Sequence, residues 1–147
     1  MTGLKKHPFL AIGFVALIIV AGIVIFYGWT IKNDKTDFTG QWNSDEQNIS
    51  VDISMEDDKT YFISITATKD EESIYFWEME AVLEEKTLVY SDGILSVVSY
   101  DEFGNAQDEI VYEDGNGSFE IRNHKLYWED LKDGFGDSKA LEKTDSN

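Results

Sequence analysis

Hydrophobic and polar positions change their period once along this chain. From Phe9 to Trp29, FLAIGFVALIIVAGIVIFYGW, 21 consecutive residues carry no charged or amide side chain. At about 1.5 Å of rise per residue, the run is long enough to cross a hydrocarbon core of roughly 30 Å. In lipid a lone apolar segment satisfies its backbone hydrogen bonds only as a helix. The pattern therefore predicts one transmembrane helix over residues 9–29. Residues 30–37 (TIKNDKTD) are polar and predict a short juxtamembrane linker. Beyond them the period is two almost to the end.

Ile49, Val51, Ile53 and Met55 alternate with Ser50, Asp52 and Ser54, the pattern of a half-buried strand. Glu56 to Lys59 predicts a turn, and Tyr61, Ile63, Ile65 and Ala67 give the next strand its apolar face. After a charged turn at 69–72, Tyr75, Trp77, Met79, Ala81 and Leu83 share one face, opposite Phe76, Glu78, Glu80 and Val82. Residues 71–86 contain helix formers, but Ile74-Tyr75-Phe76-Trp77 favours a strand. Leu88–Ser91 and Ile94–Asp101 follow, divided by Asp92-Gly93, which predicts a hairpin turn. A loop at Gly104-Asn105 leads to Gln107–Glu113, and Asp114-Gly115-Asn116-Gly117 predicts another turn into Ser118–Arg122. Asn123-His124 joins that strand to Lys125–Glu129, and Lys139–Lys143 closes the set. With turn signals every 8–13 residues or so, the pattern predicts an all-β domain over residues 38–143, an antiparallel meander of about eight or nine strands. Gly40-Gln41-Trp42 opens it as lipocalin-like barrels open, with the tryptophan plugging one end. A closed barrel also removes exposed sheet edges, so a lipocalin-like barrel is the expected architecture.

Four segments carry a resemblance: Leu88–Gly93, Tyr100–Asn105, Tyr112–Phe119 and Lys125–Asp130. Their order resembles the repeated turns of an uncharacterised family of small exported β domains of Gram-positive bacteria, lipoproteins or single-helix membrane proteins. The resemblance covers about Gly40 to Glu142 and implies attachment at a membrane, without implying an activity. Many members of that family carry a lipidation cysteine. This chain has no cysteine, so its helix is expected to supply the attachment.

A signal peptide has an apolar core of roughly 7–15 residues and small residues at the cleavage site. Here the core is longer and ends in Phe26-Tyr27-Gly28-Trp29, which predicts an uncleaved anchor with an interfacial aromatic end. Lys5, Lys6 and the free amine crowd the short flank of residues 1–8, while Lys32 and Lys35 are offset by Asp34 and Asp37. The N-terminus is therefore expected in the cytoplasm, with the barrel and the tail of residues 144–147 outside a bacterial cytoplasmic membrane. The helix has neither an early glutamate, as type IV pilins do, nor a Gly-x-x-x-Gly spacing, and reads as a passive tether.

Charge narrows the partners. The net charge is −17, and all 29 acidic residues follow the apolar run. Such a surface repels nucleic acid and anionic lipid, and neither is expected as its partner. Without cysteine there is no disulfide, thiol nucleophile or thiolate metal site. The two histidines, His7 and His124, fall beside the membrane and in a turn, away from any nucleophile motif, so no enzyme is expected. Asp114 to Glu120 alternates oxygen-bearing side chains as calcium loops do. An EF-hand, however, requires Gly where Phe119 stands and Glu where Lys125 stands. Asp101 to Asn105 and Asp133 to Asp137 read as turns, and neither a metal nor a cofactor is expected. Tyr61, Tyr75, Trp77, Phe119 and Trp128 point inward, either as core or as the lining of a ligand cavity. Phe76 and Phe103 are expected to be more exposed. The reading that follows is a membrane-anchored, extracytoplasmic, non-catalytic binding or interaction domain of the cell envelope, with a protein partner. The alternative is a lipocalin-like carrier of a small apolar ligand.

Overall fold

The computed structural model describes residues 36–144 apart from Ser138. The expected flank (1–8), transmembrane helix (9–29), residues 30–35 of the linker and 145–147 of the tail lie outside the described residues. Among the described residues, no helix is long and apolar enough to cross a membrane. The chain divides after Thr36, and every strand of the described residues lies in the second unit.

That unit is all-β. Its strands are β1 (Gly40–Ser44), β2 (Ile49–Met55), β3 (Thr60–Thr68), β4 (Ser73–Glu84), β5 (Thr87–Tyr100), β6 (Ala106–Arg122), β7 (Lys125–Asp130) and β8 (Lys139–Lys143). Each pairs antiparallel with the next, and β8 returns to β1 through Trp42 opposite Lys143 and Asn43 opposite Glu142. The sheet is thus a closed eight-stranded barrel. Thr144, assigned to the tail, still donates its backbone N–H to the Gln41 carbonyl at 2.9 Å.

The period-two pattern sets the two faces. Val51, Ile53, Tyr61, Ile63, Ile65, Trp77, Met79, Ala81, Leu88, Phe119, Leu126, Trp128 and Leu141 are buried in the barrel. Their neighbours in sequence face water, as alternation along a pleated strand requires. The face expected on β4 is the one observed, and the segment is strand rather than helix. Two-residue turns at Glu85-Lys86 and Asn123-His124 take the tight geometry that right-twisted hairpins favour. Asn123 and His124 both have positive φ, 51° and 62°.

Two expected turns are not turns. Asp92-Gly93 lies inside β5 and Asp114–Gly117 inside β6, so the four short strands expected there are two long ones. The reason is a close backbone approach. Gly93 stands opposite Gly115, and a Cβ on Gly115 would sit 2.8 Å from the Gly93 carbonyl oxygen. The ladder shifts register on both sides of this pair, so the glycines mark bulges that bend both strands together. The ring of Tyr90 lies over Gly93 and Gly117, and that of Tyr112 over Gly115.

The barrel is stoppered at both ends. Phe38 packs edge-on against Tyr61, 6.2 Å between centroids, at the end where β1 begins. At the other end the β7–β8 loop sends Phe135 against Tyr75, Trp77 and Trp128 at 5.6, 4.8 and 6.2 Å.

A Cβ at Gly117 would overlap the Glu129 carbonyl oxygen of the neighbouring strand and crowd the Tyr90 hydroxyl. Gly117→Ala is expected to destabilise the barrel by roughly 1–3 kcal/mol, read as a lowered denaturant midpoint.

Candidate functional site

The five side chains singled out from sequence are all in the barrel, but they do not form one group. Trp77, Phe119 and Trp128 are buried and Tyr75 is half-buried. Trp77 meets Trp128 edge-on at 5.2 Å, Phe119 stacks near-parallel on Trp128 at 6.0 Å, and Tyr75 leans on Trp77 at 5.6 Å. Tyr61 is buried apart from them, beside Phe38. Trp77, Trp128, Phe119 and Tyr75 thus occupy the same part of the barrel interior, in contact with one another. Gly136 confirms how tight the fit is, because a Cβ there would collide with the Trp128 ring.

Each buried indole has found an acceptor, as a buried N–H must. Trp42 Nε1 donates to the Phe38 carbonyl at 2.8 Å, Trp77 Nε1 to the Tyr112 hydroxyl at 3.0 Å and Trp128 Nε1 to the Tyr90 hydroxyl at 3.0 Å. Burial pushes both tyrosine hydroxyls well above the ordinary phenol range, so both remain protonated. Tyr112 in turn donates to Asp133 Oδ2 at 3.4 Å.

This leads to an acidic corner beneath the β7–β8 loop. Asp130 is buried at 2% exposure. Its Oδ1 accepts the Lys132 backbone N–H at 3.0 Å, and its own N–H donates to Asp137 Oδ1 at 3.1 Å. Its Oδ2 is buried with no hydrogen-bond partner among the described residues. Burial, with the Asp133 carboxyl next in effect, raises the Asp130 pKa from 3.8 to about 6. A proton on Asp130 removes the cost of an unpaired buried charge.

The turn readings of the other acidic loops find their physical cause here. Asp101 accepts the N–H groups of Phe103 and Asn105 at 2.9 and 2.8 Å, and Asp133 accepts that of Phe135 at 2.9 Å. Asp114 is held in an ion pair with Lys132 at 2.7 Å. Among the described residues, no three acidic or histidine side chains converge where a metal ion could sit. His124 is exposed in its turn. Phe103 is 82% exposed, as expected, while Phe76 is half-buried.

Outside the barrel are two open recesses, of about 700 and 670 Å³. The first runs along β6 and β7 past Ser118, Glu120, Tyr127 and Glu129, and Arg122 lies over the Tyr127 ring at 4.0 Å. The second lies over β1 and β8, beside the Lys125–Glu142 ion pair at 2.7 Å. Sequence reasoning missed the partners that hold the interior: Phe38, Tyr90, Tyr112, Asp130 and Phe135. Phe135 between Gly134 and Gly136 was the available signal, an aromatic with room on both sides to turn inward.

Compared with protein-family models, curated proteins and solved structures, the chain finds no match.

Two predictions follow from the buried polar groups. Tyr90→Phe strands the Trp128 N–H in the core and is expected to cost roughly 1–3 kcal/mol in chemical denaturation. Tyr112→Phe is expected to cost less, since Tyr112 is only half-buried and water can reach its site. For Asp130, the folded pKa lies above the unfolded one, so the folded state binds the extra proton. Its contribution to stability is therefore full below about pH 4 and lost as pH rises through about 6, on the order of 3 kcal/mol. Asp130→Asn is expected to flatten that slope in denaturation curves taken between those pH values.

Proposed function

We propose that this chain is a membrane-anchored, extracytoplasmic interaction module of a bacterial cell envelope, acting through the outer surface of its barrel rather than through its interior. One observation carries the choice: the inward aromatic side chains are in contact with one another and with Phe135, leaving recognition to the outside. The apolar run of residues 9–29 and its flanking lysines support attachment with the N-terminus inside. The Gly40-Gln41-Trp42 opening and the closed meander support a lipocalin-like kinship of architecture, in which the ligand-holding role has been given up to packing. The resemblance to small exported Gram-positive β domains agrees with this placement. The outer surface offers two recesses, one with Tyr127 among polar side chains and one walled almost wholly by polar side chains, which suit a protein partner better than a small apolar molecule.

Because the chain has no cysteine, topology can be read with single introduced thiols. Thr2→Cys is expected to resist a membrane-impermeant maleimide in intact cells, and Ser146→Cys to react. Reaction at position 2 alone sinks the orientation. A photo-cross-linking residue at outward Phe62 or Tyr127 is expected to capture envelope proteins, and one at inward Leu126 none. Native mass spectrometry of the full chain is expected to give the protein mass alone. A bound apolar small molecule there would instead establish the carrier.

A further inference from the structure

A barrel has no edges where its strands are all paired, but β6 is longer than the strand that covers it. Pairing of β6 with β7 runs only from Gly117 to Arg122, and pairing with β5 runs on to Ala106. The β7–β8 loop flanks residues 112–116 through Tyr112 with Asp133, Lys132 with Asp114, and the Leu131 N–H on the Asn116 carbonyl at 2.9 Å. Among the described residues, 106–111 have β5 on one side and no strand on the other, and all six are exposed. Every second residue of such an edge directs an N–H and a C=O outward.

Its side chains combine features of a protected edge with exposed apolar surface. Charged side chains, inward charges and bulges protect edges, and Asp108, Glu109 and Val111 supply them here, without the proline or lysine that other edges use. Here Ile110 and the bulged Val111 are 55% and 54% exposed. Register places Ile110 in line with Ser96 and Phe76, and Asp108 in line with Val98 and Ile74, on the outer face of this lip. Glu109 falls on the other face, in line with Val97 and Tyr75. Neither Asp108 nor Glu109 has an ion-pair partner among the described residues. A second copy paired here would bring its own Asp108 and Glu109 against this edge, at a strand spacing of about 5 Å. A strand that alternates basic and aliphatic residues meets Ile110 with apolar surface and the two acids with opposite charge.

We propose that residues 106–111 of β6 take up a basic, extended strand of a partner protein by antiparallel or parallel addition to the sheet. This rests on the reading of the barrel as an interaction module, and it names that module's docking edge and the chemistry of its partner.

The test uses the full chain in detergent or nanodiscs and a fluorescent synthetic peptide alternating lysine with valine. Saturable binding is expected, with little for the glutamate–valine counterpart. Asp108→Lys with Glu109→Lys is expected to weaken binding by about tenfold or more. Methylating alternate backbone nitrogens of the peptide leaves its charge and side chains intact but removes the ladder donors, and is expected to weaken binding to the same degree. This arm does not depend on a variant folding. Equal binding of the methylated peptide overturns the proposal in favour of charge adhesion. A dimer in sedimentation that Ile110→Lys abolishes overturns it in favour of a second copy. Absence of peptide binding overturns the edge assignment alone, because cross-links from Phe62 or Tyr127 test the module reading separately.

Discussion

The rest of this barrel depends on the place where two backbones touch. Gly93 of β5 and Gly115 of β6 lie opposite each other, so close that a Cβ on Gly115 would meet the Gly93 carbonyl oxygen at 2.8 Å. A side chain at Gly115 would force the strands apart, and one at Gly93 would press on the Tyr90 ring. With glycine on both, the two longest strands of the sheet bend together, so the part from Gly117 onward joins the barrel wall while the part before Tyr112 runs past its rim. Asp92, at a φ of 61°, takes part of the local strain, which aspartate tolerates better than most residues. Tyr90 and Tyr112 flank the bend, and their hydroxyls receive the two central indole N–H groups. Curvature and interior polarity are thereby joined: the residues that fill the space left by the glycines also satisfy the tryptophans.

The interior shows the same economy. A domain of this size buries a limited apolar area, and here much of it comes from aromatic side chains rather than from chain length. Trp77 and Trp128 meet at mid-barrel, and Phe135 is delivered from a loop to close the stack. Lys139 lies 3.5 Å from the centroid of the Phe135 ring, which holds the stopper from the solvent side. Such a core surrounds Asp130 with apolar side chains and gives it its unusual chemistry. The loop that delivers Phe135 starts at this buried carboxyl, and its backbone groups are tied to Asp130 and Asp137.

How much of this was legible from sequence depended on whether local pattern and tertiary role agreed. Alternation along 49–55, 61–67 and 75–83 is a property of the pleat itself, so faces and strands could be read directly. Asn123-His124 was legible as a turn for the same local reason. Asp92-Gly93 and Asp114–Gly117 were not, because turn and bulge require the same residues: small ones that accept positive φ or close approach. Only the pairing of Gly93 with Gly115, 22 positions apart in sequence, distinguishes the two, and that is a fact of the assembled sheet. The candidate site divided in the same way. Inward orientation of Tyr61, Tyr75, Trp77, Phe119 and Trp128 followed from parity, but whether they line a space or fill it depends on Phe38 and Phe135. Both of those come from outside the strands, where alternation carries no information.

The acidic surface acquires a more definite meaning once its members are sorted. Asp57, Asp70 and Asp101 accept backbone N–H groups in their own turns, and those bonds and neighbouring side chains hold their carboxyls below the usual range. Asp37, Asp114 and Glu142 are bound to Lys143, Lys132 and Lys125. These acids are structural, since each closes a turn or a seam. Asp108 and Glu109 do neither, and they stand where the sheet is open. An unpaired edge with exposed Ile110 and Val111 invites any strand of suitable register, including another copy of itself. Like charge removes that copy from contention at a cost that grows as the edges approach. The same two carboxylates leave the edge open to a strand of the opposite sign, so protection against self-pairing and selection of a partner become one electrostatic fact.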